Sequence, residues 1–125
     1  MTTDKELLEL AAKAMGYTLT WCEEYIIGDD EVDFIDMSYV VSGQPDEADW
    51  CWSPLEDDGD CARMEAELEL EIYWFISCVR VESYLKDGDT DVCINEYFAN
   101  HNNDKNAARR LASTRVAAEI GRAMK

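Results

Sequence analysis

Trp50-Cys51-Trp52-Ser53-Pro54-Leu55-Glu56-Asp57-Asp58-Gly59-Asp60 is the stretch whose reading decides the fold. It lies near the middle of the chain, between two strand-like halves. Pro54 biases Ser53 away from helical geometry. Asp57, Asp58 and Asp60 then offer carboxylates to the free N–H groups and positive end of a following helix. Trp50 and Trp52 set two large apolar rings beside that start. The residue order is that of a helix entry with an aromatic anchor, and Trp52 is expected to be largely buried against the helix. Downstream, Cys61, Met64, Leu68 and Ile72 recur at helical spacing, which predicts a helix over about Asp57 to Glu71. Glu67, Glu69 and Glu71 alternate with Leu68, Leu70 and Ile72 in strand fashion, so the pattern does not fix where that helix stops.

Upstream, Thr3 and Glu6 form a capping box. Leu7, Leu8, Ala11, Ala12 and Met15 share one face of a helix over about Asp4 to Met15, and Gly16 closes it. A strand over about Tyr17 to Ile27 and a second over about Val32 to Val41 flank the acidic turn Gly28-Asp29-Asp30-Glu31, which reads as a hairpin. Beyond the central stretch, a third strand is expected within Tyr73 to Leu85, with Trp74-Phe75-Ile76 supplying bulk. A fourth is expected over about Asp91 to Phe98. The last helix runs from about Asp104, its cap, to Met124, with Ala112, Val116, Ile120 and Met124 as an i, i+4 stripe. The order is α-β-β-α-β-β-α. The economical packing is one α+β domain, residues 1–125, in which three helices cover a four-stranded antiparallel sheet.

The chain folds against its own charge. Its formal net charge is −17, yet four Trp, six Tyr and three Phe are too many large apolar groups for a solvated tail. Residues 104–125 hold six basic and two acidic side chains, net +4, and residues 1–103 hold five basic and 26 acidic, net −21. Direct nucleic-acid binding is disfavoured, because phosphate contacts need clustered Lys and Arg. Basic partners are favoured, including proteins that bind nucleic acid themselves. The five cysteines form no C-x-x-C pair. With no signal peptide read at the N-terminus, reduced thiols in a cytoplasm are expected, and no apolar run is long enough to span a membrane.

No pattern singles out an active site, and a non-catalytic protein without cofactor or metal is expected. Asp87, Asp89 and Asp91 imitate the start of an EF-hand loop, but Val92 and Phe98 stand where the glycine and the last acid are needed. Asp57, Asp58 and Asp60 could hold a divalent cation only if three acids on one helix start converged. The cysteines and His101 lack zinc spacing. Cys22, Cys78 and Cys93 read as small core residues, and Cys61 lies on the apolar stripe of its helix.

Trp52-Ser53-Pro54-Leu55-Glu56-Asp57-Asp58-Gly59-Asp60 resembles the Trp-x-Pro-Leu-x-x-Asp-Gly-Asp helix entry of small tailed-phage and prophage proteins, the phage ABA sandwich domain group. Leu7-Leu8-Glu9-Leu10-Ala11-Ala12-Lys13-Ala14 is similar to their first helix. Ala108-Arg109-Arg110, continuing to Val116-Ala117-Ala118-Glu119-Ile120-Gly121, is similar to their last. The chain departs from that group in its middle helix, where Cys61-Ala62-Arg63-Met64-Glu65-Ala66-Glu67-Leu68-Glu69 is unusually acidic. The resemblance implies a sandwich fold and a phage source, not an activity.

Charge and resemblance together point to an acidic binding protein acting in the cytoplasm of a bacterial host, without membrane association. Its expected partner is a basic host protein, with a host defence nuclease (CRISPR–Cas or restriction) as the specific candidate, blocked where nucleic acid would sit. The expected contacts are an acidic hairpin, Glu23, Glu24, Asp29, Asp30, Glu31, Asp33 and Asp36, and a second strip, Glu65, Glu67, Glu69 and Glu71. The alternatives are a phage accessory interaction protein without a counter-defence role, or a metal-dependent hydrolase using the acids near Asp57.

Overall fold

The computed structural model describes residues 3–22, 25–27, 31–33, 37–41, 50–84 and 91–124, with side chains described over 3–17, 19, 52–83 and 92–124. Helix α1 is Asp4–Met15. Strands β1 (Thr18–Cys22), β2 (Tyr25–Ile27), β3 (Glu31–Asp33), β4 (Met37–Val41) and β5 (Trp50–Cys51) follow, then helix α2 (Asp58–Glu67). Strands β6 (Glu71–Trp74), β7 (Cys78–Tyr84) and β8 (Asp91–Tyr97) lead through a single 3-10 turn, Phe98–His101, into helix α3 (Lys105–Ala123).

Local chemistry sets the helix ends. Thr3 Oγ1 accepts from the Glu6 N–H at 3.2 Å, and Gly16 closes α1 at φ +76°, a left-handed conformation that suits glycine. Asp57 Oδ2 accepts from the Asp60 N–H at 2.8 Å, and Asp104 Oδ1 from the Ala107 N–H at 3.1 Å, so α2 and α3 also start on side-chain caps.

Helix α3 lies between two cores. Toward the sheet β6-β7-β8 it buries Ala108, Ala112 and Val116 against Val79, Val81 and Phe98. On its other side, Ala117 joins Leu8, Ala11 and Ala12 of α1, Trp52, and Cys61 and Met64 of α2. Small residues let α1 and α3 approach closely: a Cβ added at Gly121 would fall 1.9 Å from the Leu10 carbonyl oxygen. Trp52 is 2% exposed and meets Tyr17 edge-on, with ring centroids 5.7 Å apart. The central stretch thus anchors α2 as its residue order implies.

The α+β class, the three helices and antiparallel pairing are as expected. The strands of the described residues fall into antiparallel ladders β1-β4-β5, β2-β3 and β6-β7-β8, and no four-stranded sheet is seen among them. The β1-β4 ladder pairs Cys22 with Met37 and the β2-β3 ladder pairs Tyr25 with Asp33, so the register differs by one residue between the two ladders. Strand β5 was not expected; it pairs Trp50 with Val40 and Cys51 with Tyr39.

Other differences have local causes. Helix α2 stops at Glu67, because the Leu70 N–H turns back to the Glu65 carbonyl (2.9 Å) and the Glu69 N–H to the Ala66 carbonyl (3.3 Å), with Glu69 at φ +54°. This is a Schellman closure with glutamate where glycine is usual. The expected third strand is two strands joined at Ile76-Ser77, where the Phe75 N–H donates to the Cys78 carbonyl at 2.9 Å. Trp74-Phe75-Ile76 therefore sits at a hairpin tip and is exposed, not core. Cys93 is exposed and Cys78 half-buried, since both alternate away from the buried face of their strands, while Cys61 is core; all three thiols are free. The expected turns at 28–31 and 86–90, the loop at 42–47 and the side chain of Cys22 lie outside the described residues or their described side chains.

Candidate partner-binding surface

Of the acids expected to meet a partner, Glu23, Glu24, Asp29, Asp30 and Asp36 lie outside the described residues. Glu31 and Asp33 are on β3, opposite Ile27 and Tyr25, and only their backbone is described. Glu67, Glu69 and Glu71 are exposed, at the end of α2, in its closing turn and at the start of β6. Glu65 is different. It points inward, is buried, and accepts a 2.6 Å hydrogen bond from Ser113 Oγ, so it leaves the acidic strip. Helical spacing explains this: Glu65 follows Cys61 and Met64 on the face that α2 turns toward α3.

The fate of the basic residues defines the exterior. All six arginines of the chain lie within ion-pair distance of a carboxylate: Arg63 with Asp60, Arg80 with Glu82, Arg109 with Asp58 and Glu65, Arg110 with Asp58, Arg115 with Glu96, and Arg122 with Glu119. The four arginines of α3 thus pair within the molecule, Arg109 and Arg110 largely covered and Arg115 and Arg122 about half exposed. Arg110 also donates to the Leu55 carbonyl at 3.0 Å, which ties α3 to the central stretch. That hydrogen-bonded guanidinium holds the Asp58 carboxyl below the usual aspartate range.

Two polar clusters sit under this surface. Between α2 and α3, Arg109 Nε lies 3.4 Å from Glu65 Oε2 and is buried without a hydrogen-bond acceptor among the described residues. Burial pushes the neighbouring Cys61 thiol up to about 11 and Glu65 adds to the effect, while Arg109 and Ser113 pull the other way. A thiol so raised is a poor nucleophile at neutral pH. In the second cluster, buried Glu96 of β8 is held by His101 Nε2 at 2.9 Å and by Arg115 Nη1 at 2.6 Å. Asp57, Asp58 and Asp60 do not converge: Asp57 caps α2, Asp58 takes Arg110, and Asp60 takes Arg63 and the Ser53 N–H at 2.9 Å. Among the described residues no group of three His, Cys, Asp or Glu is placed to hold a metal ion. None of the described helices is long and apolar enough to cross a membrane.

The outer face of β6-β7-β8, opposite α3, carries aromatic and charged side chains in register. Glu71 stands across from Glu82 and then Cys93, and Tyr73 across from Arg80 and then Asn95. Tyr73, Phe75 and Tyr97 are 43, 48 and 53% exposed. Arg80 lies over the Phe75 ring, 5.3 Å from its centroid, and donates to Asn95 Oδ1 at 3.0 Å. Trp74 leans on Phe98, ring centroids 6.2 Å apart, yet is half exposed, and Ile76 is fully exposed. Comparisons with protein-family models, with curated proteins and with solved structures found no match for the chain. The sequence carries a signal for the tip of this patch: Tyr73-Trp74-Phe75-Ile76 is four consecutive apolar residues, and a strand with one buried face can hide only every second one.

Proposed function

We propose that this chain is a phage-encoded acidic binding protein that acts in the cytoplasm of a bacterial host. Its target is a basic protein surface that otherwise takes nucleic acid, with a CRISPR–Cas or restriction nuclease as the specific candidate. The observation that carries the reading is the division of charge. Every arginine is paired within the molecule, while Glu67, Glu69 and Glu71 remain on the exterior of a chain of net charge −17. Such a surface attracts Lys- and Arg-lined grooves at long range and repels nucleic acid itself. The acidic hairpin around Glu23, Glu24, Asp29 and Asp30 belongs to the same working surface on this reading. The phage assignment rests on the three sequence segments that resemble the ABA sandwich group. The test is competition. Proteins captured from a bacterial lysate on the immobilised chain at low salt should include nucleic-acid-binding proteins, and short DNA or RNA duplexes should release them. Capture that nucleic acid leaves unchanged would place the target site elsewhere and remove the counter-defence reading.

A further inference from the structure

We propose that the outer face of β6-β7-β8, with the tip Phe75-Ile76, is an anchoring patch for a basic partner that presents an apolar side chain beside its cations. The inference deepens the binding reading above and rests on it. Three observations converge. First, the tip is not what a hairpin needs. Two-residue turns favour Gly, Asn or Asp, and here the fully exposed Ile76 precedes Ser77, flanked by a half-exposed Phe75. Exposed large apolar groups in one contiguous patch mark interaction sites. Second, Glu71 and Glu82 stand directly opposite each other on the same exposed face. Like charges at that position destabilise a sheet; Glu82 has Arg80 at 4.0 Å, while Glu71 accepts a neutral hydrogen bond, from the Tyr73 hydroxyl at 2.7 Å. A partner's Lys or Arg placed between the two carboxylates removes the repulsion. Third, exposed Glu67 and Glu69 lie just ahead of Glu71 in the chain, which puts further acid at the start of the strand that carries Tyr73. A second copy of the chain is a poor occupant, because it would bring the same acids against these and add its own −17.

The inference is tested with two defined probes, a short cationic peptide of alternating lysine and leucine and an oligolysine of equal charge. Binding is followed by calorimetry and by backbone amide shifts. The lysine–leucine peptide should bind about tenfold tighter than oligolysine and should shift Tyr73, Phe75, Ile76 and Arg80. The double variant Phe75→Ser/Ile76→Ser, whose altered side chains lie outside both cores, should lose that advantage and keep the oligolysine affinity; an unchanged thermal melt checks its fold. Equal binding of both peptides, untouched by the double variant, would overturn the patch while leaving the acidic reading standing. Failure of both peptides to bind would remove the two together. A sedimenting dimer that Ile76→Ser abolishes would make the occupant a second copy and overturn the basic partner.

Discussion

At Gly121 there is no room for a methyl group. The missing Cβ is what lets α3 rest on the Leu10 carbonyl of α1, and backbone atoms cannot yield as a flexible side chain can. Gly121→Ala should destabilise the fold by about 1–3 kcal/mol or more, read as a lower urea midpoint; a neutral substitution would mean that the two helices are not in contact there. Cys61 gives a second test at this scale. Its thiol is held neutral up to about 11 against an ordinary 9.0, so the unfolded chain loses that proton first. The stability it contributes is complete below pH 9.0 and is lost as pH rises toward 11. Cys61→Ala should flatten the stability–pH curve over that window, and in the native wild-type protein a thiol reagent at neutral pH should label exposed Cys93 well before Cys61. A Cys61 that reacts as fast as Cys93 would contradict its place in the core.

Helix ends show how far the sequence carries the fold. The bounds of α1 and α3 are readable because their caps are local and conventional: Thr3, Gly16 and Asp104 each act within a few residues. The end of α2 is not readable, because its closure uses Glu69 in a conformation where glycine is the ordinary signal. Glu69→Gly should stabilise the protein by about 1 kcal/mol by relieving that left-handed strain, and by removing an exposed acid it should also slow capture of a basic partner. A loss of stability would mean that Glu69 is unstrained or holds a contact of its own. The same logic hid the β6-β7 turn, which contains no Gly, Asn, Asp or Pro, and so the aromatic tip read as strand interior. Trp52, by contrast, was legible from its place beside a helix start. Trp52→Ala should cost about 3–5 kcal/mol in equilibrium denaturation, and a loss below about 1 kcal/mol would deny the ring its role as anchor of α2.

For the molecule as a whole, the charge imbalance was plain in the composition, but its disposition was not. The sequence shows six arginines; only the fold brings Arg109 and Arg110 to Asp58, and Arg115 and His101 to Glu96, across dozens of residues or around a turn. The same folding takes Glu65 out of the acidic strip and leaves Glu67, Glu69 and Glu71 outside. Exposed charges act on a partner over about 8 Å at physiological salt, and steering of this kind appears in the association rate. The most direct measurement is therefore the association rate constant with the captured nucleic-acid-binding target, taken across a range of sodium chloride concentrations. It is compared for the wild type, the reversal Glu67→Lys/Glu69→Lys/Glu71→Lys, and the control reversal Glu6→Lys/Glu9→Lys on α1. The account predicts a rate that falls steeply with salt in the wild type, a lower and flatter dependence in the triple reversal, and near wild-type behaviour in the control. Equal rates at low and high salt, with the triple reversal silent, would contradict it and reduce the acid to a solvating coat.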